Sequence, residues 1–314
     1  MALADEGSSP EKSGLSRIFD SDLWHAFKQS KVTMVAAFVT LVLFLGAYLA
    51  PWIAPTDPFD LAQISLLDAR TPPAWADGGD PRFLLGTDDQ GRDMLSTILY
   101  GSRISLTVGF LSVAFAAILG ITLGLVSGYV GGRTDAVIMR IAEVQLTFPS
   151  ILIALLIDGT ARGVFDNFDR ESSAVYILVF SIGLSFWVQY ARTVRGSTLV
   201  EKNKEYVQAA RMIGLSPFLI MLRHILPNVM GPVLVIATIN LAIAIITEAT
   251  LSFLGVGVPP TQPSLGTLIR IGNDFLFSGE WWIAIFPGIA LAVLVLAVNL
   301  LGDWLRDVLN PKLR

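Results

Sequence analysis

The chain has 314 residues, of which 53% are hydrophobic and 15% are charged, and its formal net charge is -4. Soluble domains carry roughly 25% charged residues, so this composition excludes an ordinary soluble protein and indicates one that crosses a membrane several times. The chain has no Cys, which excludes disulfides, a thiol nucleophile and a thiolate metal site. It also has no basic tract, so no nucleic-acid partner is expected.

The chain begins with a polar, acidic segment, residues 1–31, that precedes any apolar run. Such a segment is not a cleavable signal peptide, which would have an early apolar core. The first apolar run, 32–53, is long enough to span a membrane, because about 20 residues at 1.5 Å each cross a ~30 Å hydrocarbon core. We expect this run to be both the insertion signal and the first span, in contact with lipid.

Five further apolar runs predict an all-α polytopic membrane protein with six transmembrane helices. With the N-terminus inside, 15 of the 22 Lys and Arg residues fall in cytoplasmic segments, as membrane topology favours. Both termini, including a tail of residues 303–314, are therefore expected in the cytoplasm, and the last five spans form a core over 104–302. The predicted spans are 32–53, 104–130, 136–157, 174–194, 232–256 and 281–301.

The first outer loop, residues 54–103, ends in an ordered pattern. Thr87 and Gln90 have the spacing of a capping box, and Asp88 suits the positive end of a helix. We therefore predict a helix from Asp88 to Tyr100 that lies on the outer membrane surface. Together the outer loops are expected to form a lid or a docking surface for an external protein. For the second loop, a simple solvated connection is an equal alternative.

Small residues and prolines within the spans predict packing and kinks. Pro149 and Pro287 predict kinks in the third and sixth spans. Glycines recur every four residues along one face of the second span, which predicts a close helix–helix contact. These glycines are Gly120, Gly124, Gly128 and Gly132.

Two acidic residues within the spans, Glu143 and Glu248, are candidates for lining a translocation path. A charge at the bilayer centre costs at least ~2.5 kcal/mol, so such a group faces a cavity or a partner. Glu143 follows Arg140 by three residues, so an internal ion pair is the alternative for it. Glu248 has no such neighbour, and its alternative is a buried structural hydrogen-bonding role.

The residues needed for catalysis within the membrane are missing. The chain has no G-x-x-x-x-G-K-[ST] pattern for nucleotide binding, and His25 and His224 both fall in cytoplasmic segments. A Ser–His intramembrane hydrolase would lack its base, so the sequence indicates a non-catalytic chain. With no Cys and no His in the spans, a transition-metal site is not expected either.

The cytoplasmic segment 195–228 contains a predicted helix–turn–helix. Gly214 stands where a left-handed residue ends the first helix. Ser216 fits the N-cap of a second helix and Pro217 its first position. We predict that this second helix kinks or ends at Pro227.

The stretch “QAARMIGLSPFLIMLRHILPN” resembles the cytoplasmic signature loop of membrane subunits of ATP-binding-cassette (ABC) importers. That signature is Glu-Ala-Ala, three residues, Gly, and Leu-Pro at a fixed distance, and Gln208 stands in place of the Glu. The positions that match it are Ala209, Ala210, Gly214, Leu226 and Pro227. Further stretches at 84–106, 248–260 and 281–314 resemble the second membrane subunit of the dipeptide/oligopeptide/nickel permease family.

This resemblance implies the type I ABC importer transmembrane architecture in a bacterial inner membrane, with peptide as the expected substrate. Its implied partners are a homologous second permease subunit, two cytoplasmic ATPase subunits and an extracytoplasmic solute-binding protein. ATP and Mg²⁺ would be bound by the ATPase subunits, and this chain would hold no cofactor. Two exposed alanines are expected to allow close approach of the ATPase. The residues expected to contact it are Glu205, Gln208, Ala209, Ala210, Arg211, Gly214, Leu226 and Pro227.

The alternative function is an ion-gradient-driven secondary transporter of small solutes. Such carriers usually contain inverted repeats with broken helices at matching positions. The two halves of this sequence show no such correspondence.

Overall fold

The computed structural model describes residues 27–28, 30–60, 62–164 and 170–309, which form helices and loops with one isolated β-bridge. The predicted N-terminal segment, residues 1–31, lies largely outside these residues, whereas residues 303–309 of the predicted C-terminal tail continue the last helix. A π-helical turn covers Met221–Ile225. The α-helices are α1 (Lys31–Tyr48), α2 (Ala50–Ile53), α3 (Met94–Val130), α4 (Gly132–Leu146), α5 (Ser150–Val164), α6 (Arg170–Glu201), α7 (Glu205–Met212), α8 (Pro217–Ile220), α9 (Leu226–Phe253), α10 (Leu265–Phe275) and α11 (Trp282–Leu309).

Five helical segments in the described part are long and apolar enough to cross a membrane: α1, α3, α6, the continuous run Pro217–Phe253, and α11. Helices α4 and α5 meet the same criterion only as a pair, and they are bent by 97° relative to each other. Counting this pair as one span gives the six that the sequence predicts. Pro149 lies at the break, since proline has no N–H and disfavours a helical residue before it.

The glycines of the second span lie on the face of α3 that packs against α6. A Cβ added to Gly120 would lie 2.4 Å from the Tyr190 Cβ, and one added to Gly124 would lie 2.6 Å from the Ala191 carbonyl oxygen. Only glycine permits backbones to approach so closely, so the predicted tight contact is confirmed. Gly132 is not part of this face, because it begins α4 with a φ of 58°.

The predicted surface helix that begins at Asp88 is wrong. Gly91 has a φ of 82°, and an oxygen of the Asp88 carboxylate accepts the backbone N–H of Arg92 at 2.9 Å, so this stretch forms a turn. Helix α3 begins later, after Asp93, whose carboxylate accepts the N–H of Ser96 at 2.8 Å. From there α3 continues without a break into the membrane span.

The predicted capping role of Thr87 is also wrong. Its hydroxyl donates to the carbonyl oxygen of Asp68 at 2.6 Å and accepts the N–H of Thr71 at 2.8 Å. Its own carbonyl oxygen accepts the indole N–H of Trp282 at 3.0 Å. Thr87 therefore links distant parts of the chain, and we call the folded first loop, residues 66–93, the outer cap.

A buried ion pair stabilises the outer cap. The Arg92 Nε donates to the Asp88 carboxylate at 2.6 Å, and the two side chains are 2% and 1% exposed. The Arg92 Nη1 also donates to the carbonyl oxygen of Pro260 at 3.1 Å. Because a buried charge is costly unless it is paired and hydrogen-bonded, these bonds hold the first and third loops together at the end predicted to face outside.

Candidate coupling segment and membrane residues

The turn after α7 has the geometry that its sequence predicts. Gly214 has a φ of 82°, and its N–H donates to the Arg211 carbonyl oxygen at 3.0 Å. The N–H of Leu215 donates to the Ala210 carbonyl oxygen at 3.1 Å. These two bonds form a Schellman motif, which ends a helix with a left-handed residue. The predicted left-handed conformation of Gly214 is therefore confirmed, and its part in an ATPase contact stays a prediction.

The second helix also begins as predicted. The Ser216 hydroxyl accepts the N–H of Leu219 at 3.4 Å, and Pro217 occupies the first turn. Of the two outcomes predicted at Pro227, an end of the helix is contradicted, and a kink stays a prediction. The π-helical turn Met221–Ile225 precedes that proline, and the chain continues directly into α9. A wider turn accommodates the missing donor and the proline ring without breaking the helix.

The tip of this segment presents apolar side chains to solvent. Met212 is 88% exposed, Ile213 is 76% exposed and Phe218 is 67% exposed. They lie on both sides of the Gly214 turn, on a part of the chain predicted to be cytoplasmic. We call residues 212–218 the apolar tip. Exposed apolar patches of this kind are typical of surfaces that contact another protein or a membrane.

The two alanines of the signature differ in their surroundings. Ala209 is exposed, whereas Ala210 is 3% exposed and packs in the core of the bundle with Val207. The expectation that both alanines are available for a partner is therefore wrong for Ala210. On a helix, neighbouring residues point about 100° apart, so a pair of small residues does not share one face.

Helix α7 is fixed to the ends of α6 and α9 by polar side chains. The Tyr206 hydroxyl donates to the Glu201 carboxylate and accepts from the Asn228 side-chain amide at 3.2 Å. Burial and the Glu201 carboxylate raise the pKa of Tyr206 to about 12, so this hydroxyl remains a donor. The Gln208 amide donates to the Asn203 carbonyl oxygen at 3.0 Å. Gln208, which stands in place of the Glu of the signature, therefore forms a hydrogen bond within this chain.

Three of the remaining predicted contact residues lie on accessible positions. Glu205, in the first turn of α7, is exposed, as are Arg211 and Pro227. Leu226 is half-buried. The segment thus offers a partner both charged and apolar groups around the apolar tip.

An inner clamp of charged residues lies beside this segment. The Arg195 guanidinium on α6 donates to both oxygens of the Asp135 carboxylate on α4, at 2.5 and 2.7 Å. The Ser127 hydroxyl on α3 donates to the same carboxylate at 2.5 Å. The Lys202 ammonium donates to the Gly128 carbonyl oxygen at 2.7 Å. Sequence reasoning missed this cluster, because its members are up to 74 residues apart.

Glu248 is fully buried within the bundle. Its carboxylate accepts the hydroxyl groups of Ser105 and Ser252, both at 2.7 Å. The Ser105 hydroxyl oxygen also accepts the N–H of Leu265 at 3.3 Å. Glu248 therefore joins α3, α9 and α10. This arrangement favours the structural alternative for Glu248, and a role in the path stays a prediction.

Glu143 has different surroundings from Glu248. Its carboxylate lies 3.5 Å from an Arg140 guanidinium nitrogen, and the two side chains are 65% and 80% exposed. The pair forms at the expected spacing of three residues, but on an open face of α4 rather than inside the chain. The structure thus does not bring Glu143 and Glu248 together, and a path role for Glu143 also stays a prediction.

Comparison with protein families gives the class of the chain. The profile described as “Binding-protein-dependent transport system inner membrane component” matches residues 120–314. The chain belongs to this family. A second profile, “N-terminal TM domain of oligopeptide transport permease C”, matches residues 21–73 and so covers α1. This permease is therefore a multi-span protein of the inner membrane.

Several curated relatives resemble this permease over nearly their whole length. The dipeptide transport system permease protein DppC of Escherichia coli K12 is 42% identical, with 93% of each chain covered. The protein of the same name in Haemophilus influenzae is 39% identical, with 93% of this chain and 95% of that protein covered. The di/tripeptide transport system permease protein DppC of Pseudomonas aeruginosa is 38% identical, with 93% and 92% covered.

A solved structure, that of the inward-facing MetNI methionine ABC transporter, has a similar fold. The TM-score is 0.53 at 17% identity, and the match covers 69% of this permease and 98% of that chain. The predicted type I importer architecture is thus confirmed.

Proposed function

We propose that this permease is one membrane subunit of an ATP-driven importer of di- or oligopeptides, supplied by an extracytoplasmic binding protein. The family description supports binding-protein-dependent transport. The names of relatives that are 38–42% identical support peptides as the substrate class. In this proposal a homologous second permease subunit completes the translocation path.

ATP hydrolysis belongs to separate cytoplasmic subunits in this proposal. The chain lacks a P-loop pattern, so ATP and Mg²⁺ would be bound by two ATPase subunits and not by this permease. The observation that carries the proposal is the apolar tip, in which Met212 and Ile213 are 88% and 76% exposed beside a rigid Schellman turn. Burying these side chains against an ATPase would stabilise the complex.

The bonds around the tip suit transmission of motion. Helix α7 is tied to α6 through Tyr206, and the second helix runs into α9 without a break. A rigid-body displacement of the docked subunit would therefore move both helices and shift the bundle between inward- and outward-open states.

The matched pair Ala209→Trp and Ala210→Trp tests this proposal. Ala209 is exposed, so its replacement leaves the fold intact but blocks close approach of the ATPase. Ala210 is buried, so its replacement overpacks the core and lowers the yield of the permease itself. Purified complexes would be reconstituted in vesicles, and ATPase binding, ATP hydrolysis and peptide uptake would be measured per assembled complex.

We expect Ala209→Trp to abolish ATPase binding or ATP-driven uptake at normal permease yield. Normal uptake by that variant would contradict docking of an ATPase subunit at α7. Uptake driven by an ion gradient, without any ATPase subunit, would instead support a secondary transporter.

A further inference from the structure

A cavity of about 390 Å³ lies at the outer end of α3. This volume falls within the roughly 300–1,000 Å³ typical of small-molecule sites. Its walls come from α3, the start of α6 and the loops that follow α2 and α9. The residues that matter here are Phe59, Tyr100, Arg103, Thr107, Val175 and Gln262.

One wall of this cavity is a fixed aromatic pair. The rings of Phe59 and Tyr100 meet edge to face, with centroids 5.2 Å apart and planes at 85°. The N–H of Phe59 donates to the Asp57 carboxylate at 2.9 Å, which fixes the loop that carries the ring. This wall is therefore preformed and suits an apolar side chain or an aliphatic backbone.

Arg103 supplies a positive charge to the same cavity. It follows Tyr100 by three residues, so both side chains lie on one face of α3. Within the described part of the chain, no carboxylate lies within ion-pair distance of its exposed guanidinium. In the outer cap, by contrast, Arg82 and Arg92 each bond to an aspartate.

An exposed arginine has five N–H donors and is suited to a planar anion, which it binds through two parallel hydrogen bonds. The Gln262 amide adds a neutral donor and acceptor to the same cavity. The Asp57 carboxylate, which accepts the N–H of Phe59, places a negative charge beside the aromatic wall of the cavity. A short peptide, with one ammonium and one carboxylate, has this combination of charges.

We infer that this cavity is a recognition subsite for the C-terminal carboxylate of a peptide, with Arg103 as the group that binds it. The aromatic pair would contact the adjoining apolar part of the peptide. This inference rests on the proposed import function and assigns a substrate-binding residue to it. It predicts that the transporter distinguishes a free carboxylate from an amide at this position.

The test compares uptake of a dialanine peptide with uptake of its C-terminal amide by the reconstituted complex. Arg103→Gln should lower kcat/KM for the free acid at least about tenfold, as loss of charge-assisted hydrogen bonds implies. The amide should be transported as by the wild type. Arg103→Lys keeps the charge but loses the paired donors, so it should give a smaller loss. Arg306→Gln, which removes an exposed arginine from the last turn of α11, is the matched control and should change kcat/KM for neither substrate.

An equal loss for the acid and the amide, or no loss for either, would overturn the subsite. An equal loss with fewer assembled complexes would instead place Arg103 at the contact with the second permease subunit. If Arg103→Gln assembles poorly, Arg103→Lys gives the same comparison. Stimulation of ATP hydrolysis by the binding protein, measured on the same vesicles, reports separately on the import function.

Discussion

The Arg211 guanidinium lies 5.0 Å from the centre of the Tyr129 ring, so α7 contacts the last turn of α3 through a cation–π interaction. Such a contact stabilises by about 0.5–1 kcal/mol at an exposed site. The inner clamp of Asp135 and Arg195 lies at the same corner, and Lys202 adds a third connection. The segment that bears the apolar tip is thus attached to the turn between α3 and α4.

The first prediction is that the inner clamp transmits motion to α4. Asp135→Asn should lower the amount of peptide transported per ATP by about threefold or more, because the neutral amide no longer holds Arg195 at two points. Stability should fall by about 1–2 kcal/mol, between the values for exposed and buried ion pairs. Uptake and ATP hydrolysis would be measured together in vesicles, and unfolding in detergent.

Two further variants test this reading of the clamp. Asp135→Glu keeps the charge and should restore part of the uptake per ATP. Arg140→Gln removes an 80% exposed charge on the same helix and should change neither quantity. An unchanged transport-to-hydrolysis ratio in Asp135→Asn would show that the clamp is only structural.

The second prediction concerns the left-handed turn at Gly214. A Cβ at Gly214 would meet no atom within 4 Å, so a substitution there causes no clash. It lowers the stability only because the backbone has a positive φ. Gly214→Ala should lower the free energy of unfolding by about 1–2 kcal/mol. Gly214→Val should lower it further, since a β-branched residue tolerates positive φ least. Hydrogen exchange of α7 and uptake per complex would measure the effect.

Gly196 provides the matched control for this turn. It too has open space around its Cβ position, but it lies within α6 without a positive φ. Gly196→Ala should therefore be neutral or slightly stabilising, because alanine favours a helix more than glycine does. Equal effects at both glycines would argue against a conformational requirement at Gly214.

The third prediction separates the two roles open to Glu248. If Glu248 has a structural role, Glu248→Ala should lower the free energy of unfolding by about 2–4 kcal/mol, because it leaves a cavity and two unpaired serines. Glu143→Ala, at a largely exposed site, should change stability by no more than about 0.5 kcal/mol. Thermal unfolding of the purified permease would give both values. If Glu248 instead lines the path, Glu248→Gln should alter the transport rate or selectivity at unchanged stability.

The fourth prediction is a pH dependence in the outer cap. Burial, and then the neighbouring Asp88 charge, raise the pKa of the Asp89 carboxyl. Its Oδ1 is buried without a hydrogen-bond partner among the described residues. An acid with a raised pKa in the folded state destabilises that state when ionised, so stability falls as pH rises through the folded-state pKa.

Asp89→Asn should therefore raise the thermal stability of the permease at neutral pH. The gain should shrink as pH falls and the wild-type carboxyl takes up its proton. Asp77→Asn, which changes an exposed carboxylate in the same loop, should leave the unfolding midpoint unchanged. A pH-independent gain in Asp89→Asn would show that its charge is not the cause.

The sequence predicted the features whose hydrogen bonds are local. The Gly214 turn and the Ser216 cap depend on partners within five residues, so the pattern of residue types was sufficient. The break near Pro149 has a similarly local cause. These predictions held because a missing donor or a left-handed residue restricts the backbone in any surroundings.

The features that sequence reasoning missed depend on contacts between distant residues. Glu248 and Ser105 are 143 residues apart, and Arg195 and Asp135 are 60 apart, so no local pattern pairs them. The prediction that a helix begins at Asp88 was wrong for a related reason. Several acidic residues could cap that helix, and Asp93 does so because Asp88 is committed to a buried ion pair with Arg92.

In the proposed function, the continuous helical run Pro217–Phe253 would act as a lever. Its 37 residues extend about 55 Å at 1.5 Å per residue, from beside the apolar tip to the opposite side of the membrane. A tilt of about 5° at one end would displace the other by about 5 Å over that length. The π-helical turn at Met221–Ile225 lies near the end of this run that is predicted to be cytoplasmic. In the proposed function, a small rotation at the tip would therefore be amplified with distance, and the largest displacement would occur at the end predicted to face outside.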